Sequence, residues 1–308
     1  MSESNNENKD GILLLDKPGG ITSNAALQRA KRVLGIRKAG HTGALDPMAT
    51  GLLPLCFGQA TKVSAFLLDA DKGYRAELAL GVETDSGDAD GEVTARAVVP
   101  ELSGEAVESV LARFRGPIEQ VPPMHSALKH RGRRLHELAR EGIEVDRPAR
   151  PVTIHGLDLE CRNADRLALR VQCSKGTYIR SLAVDIGRSL GCGAHLVALR
   201  RVASGPFRID DAITLDALEQ LGRDEAHRRL LTPDAALPHW PRLDVDEHAA
   251  RDLRHGRPVH GDFERAEGVR LYAGGRFLGL GKVTSDGVLR VRRLFDAGRG
   301  SGDAARVP

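Results

Sequence analysis

Two stretches constrain the fold of this chain more than any others: YRAELALG, beginning at Tyr74, and RLALRVQC, beginning at Arg166. Apolar and polar side chains alternate in both. A period of two places Tyr74, Ala76, Leu78 and Leu80 on one face of a strand, and Leu167, Leu169, Val171 and Cys173 on one face of another. Helical patterns lie between such strands. In TSNAALQRAKRVLG, Thr22 or Ser23 caps a helix, Leu27, Ala30, Val33 and Leu34 follow at helical spacing, and Gly35 stops it. SGEAVESVLARFRG carries an inner stripe of Ala106, Val110, Leu111 and Phe114, and GTYIRSLAVDIGRSLG turns into a helix ended by Gly191. GILLLDKPGG reads as a buried strand ending in a turn. Strands and helices interleave with hairpin-like turns, which predicts an α+β fold with a mixed sheet.

A chain of 308 residues exceeds one typical domain. The expected division is a disordered stretch over 1–9, a large domain over 10–238, a small β-barrel over 239–296 and a disordered tail over 297–308. The smaller unit is read from GVRLYAGGRFLGLGKVTSDGVLRVRRLF, short strands broken by Gly-Gly and Asp-Gly turns. Prolines bracket a basic segment, 125–150, expected to be an inserted arm with a short helix in RRLHELAREG. Net charge is only +3, but basic residues cluster at Lys31 to Lys38, in KHRGRR, at Arg200 with Arg201, and at Arg290 to Arg293. Several such patches favour a polyanionic partner.

Other chemistries lack a warrant. The chain has no Walker loop, GxGxxG, GxSxG or HExxH. Cys56, Cys161, Cys173 and Cys192 form no CxxC pair, so no metal is expected and each cysteine is read as a small buried residue. The acidic loop VETDSGDADGEV lacks the first Asp and closing Glu of a calcium loop and is expected to face away from a polyanion. Without a leader or a membrane-length apolar run, the chain is expected in the cytoplasm.

The chemistry concentrates in GHTGALDPMATG, Gly40 to Gly51. Asp46 precedes a proline, so it is either a turn initiator or a reactive group on a rigid loop. An exposed aspartate has a pKa of about 3.9 and is ionised at neutral pH. As a carboxylate it can attack as a nucleophile or take a proton. Tyr74 falls on the apolar face of its strand, and Arg180 opens a helix.

That loop resembles the catalytic loop of the TruB family of tRNA pseudouridine-55 synthases. DKPGGITSN, DKGYRAELALGVETDSGDADG, CSKGTYIRSLAVDIG and GCGAHLVALRR resemble further motifs of the family in the same order, from about Gly11 to about Phe207. The C-terminal pattern resembles a PUA-type RNA-binding domain. The resemblance implies the pseudouridine synthase fold, a mixed central sheet flanked by helices, and an isomerase that detaches the uracil of a T-loop uridine, turns it and rejoins it through C5. It implies Asp46 as the catalytic carboxylate and Arg180 as its partner. Tyr74, Leu199 and Tyr178 would line the pocket, His41 would enter the space left by the extruded base, and Lys17 would support the cleft among the substrate-binding residues. The implied partner is tRNA, through its T-loop and arm, gripped by the basic arm. No cofactor, membrane or obligatory protein partner is expected, and the chain is expected to act as a monomer. The competing reading is a non-catalytic RNA-binding or folding module in which Asp46 is structural.

Overall fold

The computed structural model describes residues 10–126 and 128–295. The expected disordered ends, 1–9 and 297–308, lie outside them. The chain begins with β1 (Gly11–Lys17), α1 (Ser23–Leu34), β2 (Ala39–His41), β3 (Thr50–Phe57), α2 (Ser64–Asp69) and β4 (Lys72–Leu80). β5 (Val82–Thr84), β6 (Val93–Arg96), α3 (Gly104–Ala112) and β7 (Gly116–Gln120) follow. The basic arm holds β8 (Lys129–His130), β9 (Arg133–Arg134) and α4 (Leu135–Arg140). Then come β10 (Arg150–Arg162), β11 (Arg166–Cys173), α5 (Ile179–Ser189), β12 (Ala194–Ser204), β13 (Phe207–Arg208), β14 (Ile213–Thr214), α6 (Leu215–Gln220) and α7 (Arg223–Arg228). The last part is β15 (Arg242–Val245), α8 (Glu247–Arg254), β16 (Val259–His260), β17 (Ala266–Ala273), β18 (Arg276–Val283) and β19 (Val288–Leu294).

The main sheet runs β14-β1-β3-β12-β4-β11-β10-β7, with β2 on β3 and β13 on β12. The β1–β14 and β3–β12 pairs are parallel, and the pairs β1–β3, β12–β4, β4–β11, β11–β10 and β10–β7 are antiparallel, so the sheet is mixed as expected. The two strand textures of the sequence have a physical cause. β4 and β11 bury one face, where Tyr74, Ala76, Leu78, Leu167, Leu169 and Val171 join the core beneath α1, α3 and α5. Their other face is water-exposed and carries ion pairs such as Arg166–Glu77 and Arg170–Glu160, each worth about 0–1 kcal/mol. β1 and β3 are covered on both sides. Leu13, Leu15, Leu53 and Leu55 enter the first core, whereas Ile12, Leu14, Leu52 and Cys56 enter a second that includes Leu237, Leu280 and Phe295. That double burial is why GILLL and LLPLC read as continuous apolar runs.

Helix α1 starts where Thr22 Oγ1 accepts from the Ala25 N–H at 3.1 Å and stops at Gly35 in the left-handed conformation. Burial of Leu27 and Leu34 on its inner face contributes roughly 1.5–3 kcal/mol each. On helix α3 Val110 and Leu111 are buried and Phe114 packs against the core as expected, but Val107 takes the inward position and Ala106 is exposed. Cys161 is exposed on β10, against the expectation of four buried cysteines.

The C-terminal strands form a separate five-stranded half-barrel sheet, β15-β17-β18-β19-β16, with α8 packed on it through Ala250 and Leu253. Trp240 meets Phe66 edge-on at a 5.1 Å centroid separation and joins this sheet to the second core.

Candidate active site

The loop from β2 to β3 is fixed from several sides. Gly43 and Gly51 take φ of 119° and 102°, conformations that suit glycine. The Leu45 N–H donates to Ser23 Oγ at 2.7 Å, and Ser23 Oγ–H donates back to the Leu45 carbonyl at 3.1 Å. Gly20 N–H donates to the Pro47 carbonyl at 2.8 Å, and Ala49 N–H to the Asp46 carbonyl at 3.1 Å. Asp46 therefore does open a turn. Its side chain is nevertheless 40% exposed, so the turn presents it rather than using it.

Lys17 lies beneath that turn, fully buried. Its ammonium donates to the carbonyls of Pro18 and Ile21 at 2.8 Å and of Pro47 at 3.3 Å. Burial pulls its pKa down to about 8, with the Asp46 charge acting the other way and Arg201 adding to the fall. This geometry corrects the expectation that Lys17 contacts substrate: all its donors are spent on backbone, so it braces the loop from behind.

Helix α5 brings the cation. At its N-terminus, the Tyr178 N–H donates to Gln120 Oε1 at 3.0 Å, and Gln120 is itself buried. Two residues on, Arg180 is 5% exposed and grips Asp46 with two edges, Nε to Oδ2 at 3.0 Å and Nη2 to Oδ1 at 3.3 Å. The rest of the guanidinium is also spoken for: Nη2 donates to the His125 carbonyl at 2.7 Å and Nη1 to the Ser86 carbonyl at 3.1 Å, while Nη1 lies 3.4 Å from Asp88 Oδ2. The arm thus begins on the same arginine that holds Asp46.

Asp88 is one of the residues that sequence reasoning missed. The acidic loop packs against Arg180 through one residue, with Asp88 buried and Oδ1 accepting from Ser86 Oγ–H at 2.6 Å and Asp90 N–H at 3.1 Å. Its charge matters to Asp46. Burial pushes the Asp46 pKa above the ordinary carboxylate value and Asp88 adds to the rise, whereas Arg180 and Lys17 oppose it. Asp46 is therefore a stronger base than the exposed aspartate assumed from sequence.

These groups open into a cleft of about 320 Å³. Asp46, Arg180, Tyr74, Tyr178 and Leu199, all singled out from sequence, line it together. Tyr74 is 9% exposed and Leu199 8%, both on the apolar face of adjacent strands. Burial raises the pKa of both tyrosines, so each phenol stays neutral. Lys72 and Arg201 also line the cleft and were not foreseen. The signal for Arg201 was available, since a strand period of two puts it on the face of Leu199, while Arg200 points outward to Asp16 at 2.7 Å. His41 sits on β2 opposite Leu55 and does not line the cleft; its ring is half-buried, Nδ1 lacks a hydrogen-bond partner, and burial lowers its pKa. A larger groove of about 540 Å³ uses the other side of Lys72 and Tyr74 together with Arg170 and Arg208, but has neither Asp46 nor Arg180. Among the described residues no three potential metal ligands cluster, and no helix is long and apolar enough to cross a membrane.

A cleft of this kind offers one carboxylate aimed by a buried cation, flanked by a neutral phenol ring and an aliphatic side chain. It can act on a flat ring attached to a sugar. Comparison with known proteins agrees. Residues 31–179 match the TruB family pseudouridylate synthase (N terminal domain), residues 180–237 the tRNA pseudouridylate synthase B C-terminal domain, and residues 241–295 the pseudouridine synthase II TruB C-terminal profile. The tRNA pseudouridine synthase B of Dechloromonas aromatica is 57% identical over 287 residues, 92% of this chain and 95% of that one. Its namesake from Aromatoleum aromaticum is 54% identical over 285 residues, 92% of each chain. Among solved structures, a chain of a Cbf5-Nop10-Gar1 complex superposes with a TM-score of 0.71 at 27% identity, covering 93% of this chain and 85% of that one. A chain of an H/ACA RNP bound to a substrate RNA containing 2′-deoxyuridine gives 0.70 at 25% identity, covering 93% and 85%.

Proposed function

The chain belongs to the TruB family of pseudouridylate synthases, and on that premise we propose how its cleft works: it isomerises a tRNA uridine to pseudouridine, at position 55 of the T-loop, with Asp46 as the catalytic carboxylate. The observation that carries the residue assignment is the two-edged Asp46–Arg180 pair at the mouth of the cleft.

The reaction is an internal transfer. The bond from the sugar C1′ to N1 breaks, the uracil turns within the cleft, a bond forms from C1′ to C5, and the C5 proton is replaced by one on N1. No co-reactant is consumed. Asp46 acts at the sugar, by attack or by proton removal, and the environment that raises its pKa favours either role. Arg180 keeps the carboxylate charged and aimed. The ring of Tyr74 and the side chain of Leu199 sandwich the extruded base, offsetting part of the stacking it loses. His41, on the edge of the same loop, serves as the wedge that fills the vacated place in the RNA. The arm grips phosphates: its hairpin carries Arg131, Arg133 and Arg134, and Arg133 pairs with Glu141. Residues 239–295 extend the RNA surface as a PUA-like unit, and the chain acts as a monomer without a protein partner.

The test is to incubate the purified chain with an unmodified tRNA transcript and map pseudouridine by position. Formation at position 55 alone is expected. Asp46→Asn should abolish product while tRNA binding stays within about threefold, since the amide keeps an oxygen for Arg180. Equal product from Asp46→Asn would refute Asp46 as the catalytic carboxylate, and no product from the wild-type chain would return the assignment to a non-catalytic RNA-binding module.

A further inference from the structure

Arg201 is among the largest fully buried side chains described, only 1% exposed, and the reaction as set out leaves it unused. No carboxylate pairs with it among the described residues; its Nε donates to the Leu52 carbonyl at 2.6 Å and its Nη2 to the Gly43 carbonyl at 3.1 Å. A buried guanidinium without a counter-charge is costly, so its retention asks for a reason. The Arg201 guanidinium also acts on the phenol of Tyr74, its partner across the β12–β4 pair. Those three partners belong to three pieces of the site: Leu52 to β3, Gly43 to the loop that carries Asp46, and Tyr74 to β4.

The backbone allows little play. Arg201 pairs with Gly51 on the parallel side and with Tyr74 on the antiparallel side, where β3, β12 and β4 run side by side. A Cβ at position 51 would come within 2.3 Å of the Arg201 carbonyl oxygen, so the two strands are in direct contact there. The strand backbone is thereby fixed where the side chain leaves it, and Arg201, 1% exposed, lines the inner wall of the cleft. A lysine at this site could not span the same partners, because its donors radiate from one nitrogen.

We propose that Arg201 is a positioning residue for the isomerisation: by bonding the Leu52 and Gly43 carbonyls while standing against Tyr74 across the β12–β4 pair, it sets the distance between the ring that faces the base and the loop that presents Asp46. The proposal rests on the uridine-isomerising reading of the cleft. It makes Arg201 part of catalysis through other residues, with no contact to RNA.

The experiment compares wild type, Arg201→Lys, Tyr74→Phe and the double variant. It measures the single-turnover rate on a tRNA transcript, tRNA affinity by filter binding, and thermal unfolding. A wild-type chain that forms no pseudouridine would refute the reading of the cleft before any variant is considered. Given wild-type activity, Arg201→Lys should lower the single-turnover rate about 10²-fold, as misplacement by an ångström does, with affinity within about threefold. Tyr74→Phe keeps the ring and removes the hydroxyl; it should lower the rate at least about tenfold. The double variant should be no more than about threefold slower than Arg201→Lys, because both changes break one linkage. A wild-type rate in folded Arg201→Lys, a loss confined to affinity, or losses that multiply in the double variant would each overturn the proposal. If Arg201→Lys does not fold, Tyr74→Phe decides alone, and a wild-type rate there overturns it.

Discussion

Arg180→Lys separates aim from charge. The substitution keeps a cation at the helix start but replaces a planar fork by one ammonium. The fork now spans both oxygens of Asp46, the carbonyls of Ser86 and His125, and Asp88, over distances of 2.7–3.4 Å. An ammonium has three donors on one atom and cannot reach acceptors on opposite sides of that fork. At least one oxygen of Asp46 loses its bond, and at least one buried acceptor is left unpaired. Each buried acceptor left open costs about 1–3 kcal/mol, so unfolding free energy should fall by about 2–4 kcal/mol, less than the total stability of a typical domain. Loss of one aimed charge-assisted bond should slow the chemical step about 10²–10³-fold. Affinity should stay within about threefold, because Arg180 is 5% exposed and out of reach of phosphate. The assay is release of tritium from C5-labelled uridine in tRNA under single turnover, alongside filter binding and a urea melt. A rate within threefold of wild type would refute the reasoning, since it would mean that aiming Asp46 contributes nothing. A tenfold loss of affinity at unchanged rate would refute it too, by placing Arg180 on the RNA.

Three other outcomes follow from the same geometry. Asp88→Asn removes a charge that pushes the Asp46 pKa up, so the acid limb of the single-turnover pH–rate profile should move to lower pH; an unmoved or rising limb would contradict the coupling. Lys17 has its folded pKa lowered to about 8, so its contribution to stability is fully present above its unfolded value of 10.5 and is lost as pH falls through about 8. Relative to Lys17→Met, the wild type should therefore gain up to about 3 kcal/mol of unfolding free energy between pH 7.5 and 10.5, and a pH-independent difference in urea melts would count against it. Gly51→Ala places a methyl 2.3 Å from the Arg201 carbonyl at a φ of 102°, and should cost at least about 2 kcal/mol in a thermal melt; a neutral change would show that β3 and β12 can separate freely.

Much of the fold was legible because burial leaves a periodic trace. The alternation at Tyr74 to Leu80 and at Leu167 to Cys173 marked strands with one dry face, and a cap at Thr22 or Ser23 with a stop at Gly35 marked α1, the structure choosing Thr22. On α3 only Ala106 was misplaced, since adjacent apolar residues at 106 and 107 both fit the edge of the stripe until packing chooses the larger Val107. Five of the seven expected site residues meet in one cleft, and the motifs that carried them are local in sequence. Asp88 escaped because an acidic loop looks like a solvated one until an arginine from 92 residues further on is folded against it.

The sequence by itself marked β1, β4, β11, α1, α3, α4, α5 and the C-terminal strands, and it marked Asp46 as a carboxylate on a stiff turn, because those properties depend on neighbours a few residues apart. Tertiary structure alone decided that Lys17 serves the loop from below, that Arg180 is shared between Asp46 and Asp88, and that Arg201 is buried with no counter-charge among the described residues. The physical reason is that a charge takes its role from the groups packed against it, and for these residues those groups come from distant parts of the chain.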